Sequence, residues 1–178
     1  MSDEIETLYE GRYLRLKQRG SWEYAERTHA GSAVIVIAIT PENKLLFVEQ
    51  FRVPIQQRTI EMPAGLVGDL GEDDTMEDAA RRELLEETGW QASEVKLLMV
   101  GPSSAGMSTE MIGFARARGL VKVHDGGGDE SEDITVHEVP LDSAPQWLAQ
   151  KIREGYSMDP KLWAGLWLLE RDPDGSAI

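Results

Sequence analysis

The 178-residue chain has no cysteine, and basic residues are scarce, with 18 Lys and Arg against 32 Asp and Glu. Without thiols there is no disulfide framework, no thiolate metal site and no cysteine nucleophile. A formal charge of −14 leaves no basic stripe for a nucleic-acid backbone, so no nucleic-acid partner is expected. Long apolar runs are also missing. The longest, Ala33 to Ile39, is far short of a bilayer span, and no membrane partner is expected. The acidic start, Met1-Ser2-Asp3-Glu4-Ile5-Glu6, lacks the basic and apolar regions of a secretory signal, so a cytoplasmic location is expected. There is no internal repeat and no long linker, and low complexity is confined to Asp125-Gly126-Gly127-Gly128-Asp129. The three histidines, His29, His124 and His137, form no ligand pattern.

What is present reads as one mixed domain, α/β or α+β. Two strands are expected at the start, Gly11–Gln18 and Trp22–Thr28, joined by a turn at Arg19-Gly20. Ser32–Thr40 is a β-branched run and reads as a buried strand. With the turn Pro41-Glu42-Asn43-Lys44 it predicts a hairpin to Leu45–Gln50. Residues 95–100, 111–117 and 134–139 read as further strands. The clearest helix is 74–88: Thr75 can cap it with Asp78 three residues on, Met76, Ala79, Ala80 and Leu84 share a face, and Gly89 can end it. Helices are also expected over 141–154, with Pro145 in the first turn, and over 161–170. Trp147, Trp163 and Trp167 fit helical core spacing.

The helix at 74–88 carries the chemistry. Glu83 and Glu87, four apart, share a face with Glu86 beside them. Like charges at that spacing weaken a helix unless something offsets the repulsion, and a hard cation with oxygen ligands does so.

Glu61-Met62-Pro63-Ala64-Gly65 followed by Arg82-Glu83-Leu84-Leu85-Glu86-Glu87-Thr88-Gly89-Trp90 resembles the box of the Nudix hydrolases, GX5EX7REUXEEXGU, with U a bulky apolar residue. The second half matches at every fixed position. For the first half two registers are open. Uninterrupted spacing places the leading glycine at Gly68 and an acid at Asp74; a start at Gly65 with Glu72 requires three extra residues. The Ala64-Gly65 pair favours Gly65, with the insertion between Leu70 and Asp74. Glu49-Gln50-Phe51-Arg52, the Gly106-Met107-Ser108-Thr109-Glu110 loop and the acidic Asp129-Glu130-Ser131-Glu132-Asp133 segment point to the ADP-ribose (ADP-sugar) pyrophosphatase branch.

The resemblance implies a Nudix-type α/β/α sandwich with a mixed sheet over residues 31–178, preceded by a small antiparallel β unit, 1–30, that serves dimerisation and base binding. It implies hydrolysis of a nucleoside diphosphate sugar, ADP-ribose to AMP and ribose 5-phosphate, with Mg²⁺, or Mn²⁺ as substitute. The alternatives are another Nudix substrate, such as GDP-mannose or a dinucleotide, and a non-catalytic nucleotide sensor. Glu83, Glu87 and the Ala64 carbonyl resemble the metal ligands, and Glu86 is either a ligand or a charge buffer. Arg82 is expected to pair with Glu86. Glu130 resembles the general base and Glu132 a further metal contact, an assignment within the loop that spacing leaves open, and Gly126–Gly128 is expected to let this loop swing. Arg52, Arg27 and Glu110 are the expected polar substrate contacts. Tyr13 and Trp22 are expected to hold the base between them across a homodimer.

Overall fold

The β-branched run beginning at Ser32 is the axis of the protein. In the computed structural model, which describes residues 4–68, 71, 74–128 and 132–178, β4 (Ser32–Ala38) is buried on both faces. Val34, Val36 and Ala38 enter one core, while Ile35 and Ile37 enter the other. Burial on both sides is why the run is continuously apolar rather than alternating.

The order along the chain is simple. Before β4 come β1 (Ile5–Glu10), β2 (Leu14–Arg19) and β3 (Trp22–Arg27). After it come β5 (Lys44–Arg52), β6 (Gln57–Glu61), β7 (Ala64–Val67), α1 (Met76–Thr88), β8 (Trp90–Pro102), β9 (Met111–Lys122), β10 (Thr135–Pro140), α2 (Ala144–Arg153), β11 (Ser157–Met158) and α3 (Lys161–Trp167). These strands form three sheets, β1-β2-β3, β10-β5-β6-β11 and β7-β4-β9-β8. The third is mixed, with β4 parallel to β9 and antiparallel to β7. Helix α1 packs Ala79, Ala80 and Leu84 into the core shared with Val34 and Val36. Leu148 of α2 and Leu162 of α3 close the other core around Ile35, Ile37 and Phe47. The mixed α+β architecture is the one expected.

Three local expectations change. The turn after β4 forms, with the Asn43 amide donating to the Thr40 carbonyl at 2.9 Å, but β4 and β5 lie in different sheets and share the isolated bridge Ile39–Leu45. Both edges of β4 are already paired, by β7 and β9, so β5 turns away to β6 and β10. The opening β unit has three strands, because Ile5–Glu10 pairs with β2. Trp163 and Trp167 are about half exposed, since the short α3 turns Leu162 and Gly165 inward instead; Trp147 does pack, stacked on Phe47 with ring centroids 5.4 Å apart.

The β1–β3 sheet meets the rest along β3. Ala25 exchanges backbone hydrogen bonds with Met107 and Thr109, at 2.8 and 3.1 Å. Its apolar side chains Tyr9, Tyr13, Leu14 and Trp22 face solvent. Among the described residues no helix is long and apolar enough to cross a membrane.

Candidate active site

Helix α1 sets the geometry. Thr75 Oγ1 accepts the Asp78 amide at 3.1 Å and donates to the Asp78 carboxylate at 2.6 Å. Gly89, at φ 73°, closes the other end with its amide on the Leu85 carbonyl. With Ala80 and Leu84 held in the core, the Glu83-Glu86-Glu87 face is turned to a cleft of about 890 Å³ between the two large sheets.

Glu87 is 2% exposed, and its Oε2 accepts the Ala64 amide at 3.0 Å. Burial pushes its carboxyl well above the ordinary range; the Ala64 amide opposes this, and the charges of Glu83, Glu132 and Glu61 reinforce it. Burial likewise raises Glu83, against the pull of Arg82 and with the repulsion of Glu86 and Glu132. The Glu83 carboxyl lies against Gly65: a β-carbon there would stand 1.9 Å from the carboxyl carbon. A close approach that only glycine permits is the physical content of the Ala64-Gly65 pair. Ala64 lines the cleft, and it holds Glu87 through its amide. Glu86 is exposed on the cleft.

Arg82 does not reach Glu86. It donates to Asp74 at 3.2 and 3.3 Å, to the Leu66 carbonyl at 3.0 Å and to Glu83 at 3.2 Å. Asp74 also accepts the amide of Gly68, a residue at φ 100°. Gly68 and Asp74, the pair of the uninterrupted register, are therefore in direct contact. Asp74 anchors the loop to Arg82, while Gly65 serves as the seat of Glu83. Glu72 lies outside the described residues.

The other cleft walls bring cations, each already paired. Arg52 makes a two-pronged pair with the buried Glu61 at 2.6 and 2.7 Å. The Glu61 hydrogen bonds raise the Arg52 guanidinium against its burial, and the charges of Glu61, Glu87 and Asp159 add to them. Arg27 pairs with Glu110 at 2.6 Å, and both line the cleft. Tyr13 and Trp22 are each 64% exposed and do not belong to the cleft lining of this chain.

Glu132 lines the cleft. Its neighbour Asp133 pairs with Arg58, which also reaches the buried Glu49 at 3.3 Å. Glu130 lies outside the described residues. The preceding glycines are hydrogen-bonded to the end of α1: Gly127 donates to the Glu87 carbonyl at 2.8 Å and Gly128 to the Glu86 carbonyl at 3.1 Å. The start of the acidic loop is thereby tied to the turn of α1 that carries the carboxylates.

Glu61, Thr59, Asp159 and Lys161 also line the cleft, and sequence reading gave them no role. For Glu61 the signal was its place before Met62-Pro63-Ala64-Gly65. The others depend on the pairing of β11 with β6, which no local pattern announces.

The charged oxygen groups facing the cleft are carboxylates, with neither thiol nor imidazole among the lining groups. Among the described residues no three acids are already gathered as a ready-made metal site. Even so, the Glu83 and Glu87 carboxyls, raised by burial and further by neighbouring negative charge, fit a hard divalent cation, which would offset that repulsion.

Comparison with known proteins agrees with this geometry. Residues 29–157 match the NUDIX domain. A relative from Bacillus methanolicus named methanol dehydrogenase activator is 36% identical over 155 residues, spanning 83% of this chain and 82% of the relative. A Bacillus subtilis (strain 168) protein named ADP-ribose pyrophosphatase is 37% identical over 117 residues, 65% of this chain and 61% of its own length. A solved structure described as an ADP compounds hydrolase superposes with a TM-score of 0.71 over 93% of this chain and 89% of that one, at 20% identity, and so shares the fold.

Proposed function

The chain belongs to the NUDIX domain family, and from that premise we propose that it hydrolyses the pyrophosphate bond of a nucleoside diphosphate sugar, with ADP-ribose giving AMP and ribose 5-phosphate. The observation that carries the reading is the Glu83-Glu86-Glu87 face of α1, turned into a cleft that also holds Arg52 and Arg27. The name of the Bacillus subtilis relative favours ADP-ribose.

Mg²⁺ is the proposed metal and Mn²⁺ its substitute; bound there, the cation would neutralise the diphosphate and make the attacking water more acidic. Glu83, Glu86 and Glu87 would hold it, Glu87 oriented by the Ala64 amide and Glu83 by its seat on Gly65. Water attacks one phosphorus, the bridging P–O bond breaks towards the other phosphate, and the water proton passes to a loop carboxylate. Glu132 lines the cleft and suits that role; Glu130, outside the described residues, is the other candidate. Arg52 and Arg27 would bind diphosphate oxygens by sharing their donors with Glu61 and Glu110.

The reading includes a C₂ homodimer formed through the β1–β3 sheet. Tyr9, Leu14 and Leu16 share one face of the small sheet and Trp22 lies on the other; with Tyr13 they leave apolar side chains exposed on both sides of it, which favours an interaction there. Tyr13 of one protomer and Trp22 of its partner would then enclose the base.

Hydrolysis of ADP-ribose, ADP-glucose, GDP-mannose, NADH and diadenosine polyphosphates should be compared with Mg²⁺ and with Mn²⁺. The reading expects the highest kcat/KM for ADP-ribose. A dinucleoside polyphosphate at the head of the ranking would replace the sugar assignment.

A further inference from the structure

The α3 end of the cleft is built differently from the α1 end. Thr59 and Glu61, two apart on β6, share the face turned to the cleft. Ser157 of β11 pairs in register with Thr59, and the Asp159 amide continues the ladder by donating to the Ile60 carbonyl at 3.1 Å. Ser157, Asp159 and Lys161 all line the cleft. Asp159 accepts the Lys161 amide at 2.9 Å and pairs with its ammonium at 2.7 Å. The result is a row of hydroxyl, carboxylate and ammonium groups along one wall.

Within this row Thr59 is anomalous. It is 4% exposed, and its Oγ1 has no hydrogen-bond partner among the described residues. A buried hydroxyl left without a partner weakens the fold, and a valine of the same shape would avoid the loss. Its retention on a cleft wall is accounted for by a ligand that completes its bonding. The NUDIX match ends at residue 157, so Asp159 and Lys161 lie just outside the matched span. Arg52, which also lines the cleft, pairs with Glu61, two residues from Thr59 on β6.

We propose that Thr59, Ser157, Asp159 and Lys161 form a polyol subsite that takes the hydroxyl-bearing sugar at the non-nucleotide end of the substrate. A sugar hydroxyl both donates and accepts. It can donate to Thr59 Oγ1 or Asp159 and accept from Lys161, which is how a wall of mixed polar groups recognises a polyol rather than a bare phosphate. The subsite rests on the proposed hydrolysis for its place in a reaction, but its ligand can be tested without turnover.

The test is calorimetric titration of the Mg²⁺-loaded protein with ribose 5-phosphate and with methyl phosphate, beside an ADP-ribose turnover assay. Wild type should prefer ribose 5-phosphate by about tenfold or more, as expected where a site bonds hydroxyls that the analogue lacks. Thr59→Val should lose most of that preference while its Tm holds or rises, and Thr59→Ser should restore it. Lys161→Ala, at a half-exposed position, should weaken the preference independently of any effect of Thr59→Val on folding. No preference in wild type, or a preference that survives both Thr59→Val and Lys161→Ala, would overturn the subsite. If the preference is present and lost in the variants but ADP-ribose is not cleaved, the subsite stands and the proposed reaction falls.

Discussion

Glu87→Gln separates the charge of the site from its shape. The side chain is buried, and a glutamine oxygen can keep the 3.0 Å hydrogen bond from the Ala64 amide. What disappears is a negative charge that burial and the neighbouring Glu83, Glu132 and Glu61 hold in an unfavourable place. Below about pH 4.3, Glu87 is protonated in both folded and unfolded chains and costs nothing. As the pH rises, the unfolded chain releases the proton first, so the metal-free fold loses stability until its own raised pKa is passed, and the deficit then stays constant. Each unit of elevation is worth about 1.4 kcal/mol, and about 3–6 °C in Tm for a domain of this size. In EDTA at pH 8, Glu87→Gln should therefore melt above wild type, and the gap should close towards pH 4. Saturating Mg²⁺ should reverse the order. A cation at a hundred times its Kd stabilises wild type by about 2.7 kcal/mol, and the variant should lose most of that gain along with more than about nine-tenths of its turnover, a loss of ~1.4 kcal/mol or more. Scanning calorimetry across pH, with and without Mg²⁺, reads all of this. A variant that melts below wild type without metal, or keeps the full Mg²⁺ shift, would refute the assignment of Glu87 as a buried ligand.

Three further outcomes follow from the same geometry. Gly65→Ala drives a methyl group into the Glu83 carboxyl, 1.9 Å from its carbon; displacement of so flexible a side chain should leave Tm within about 4 °C but lower kcat about 10²-fold, and a kcat near wild type would show that Glu83 does not act from this seat. Asp74→Ala takes from Arg82 its partner at 3.2 Å; with the Leu66 and Glu83 contacts remaining, urea titration should show a loss of about 1–3 kcal/mol, and no loss would favour the Gly65–Glu72 register. Trp22→Ala should raise KM for ADP-ribose about tenfold with less effect on kcat, since stacking on a base is worth ~1–3 kcal/mol and is the same in ground and transition states; a monomer by light scattering at micromolar concentration would remove the shared base site.

Helix α1 was legible because its signals are local. Thr75, Asp78, the Ala79-Ala80-Leu84 face and Gly89 act within a few residues of one another, and each is found in its expected place. The core run of β4 was legible for the same reason, but its partner was not. A turn at Asn43 looks the same whether the strands beyond it pair or diverge, and that choice was made by β7 and β9, both closing on the edges of β4. Arg82 shows the limit at one side chain. The helical spacing to Glu86 is available, yet Arg82 turns to Asp74, just before α1, and to the Leu66 carbonyl of β7. Asp159 and Lys161 were out of reach because two residues of β11 are too short to read as a strand, and parallel pairing with β6 is what carries the following turn to the cleft.

The decisive experiment incubates ADP-ribose with the purified protein, once in Mg²⁺ and once in EDTA, and resolves the products by chromatography. Equal amounts of AMP and ribose 5-phosphate are expected in Mg²⁺ and neither in EDTA. Product formation unchanged by EDTA, or intact ADP-ribose under saturating Mg²⁺, would contradict the proposed hydrolysis.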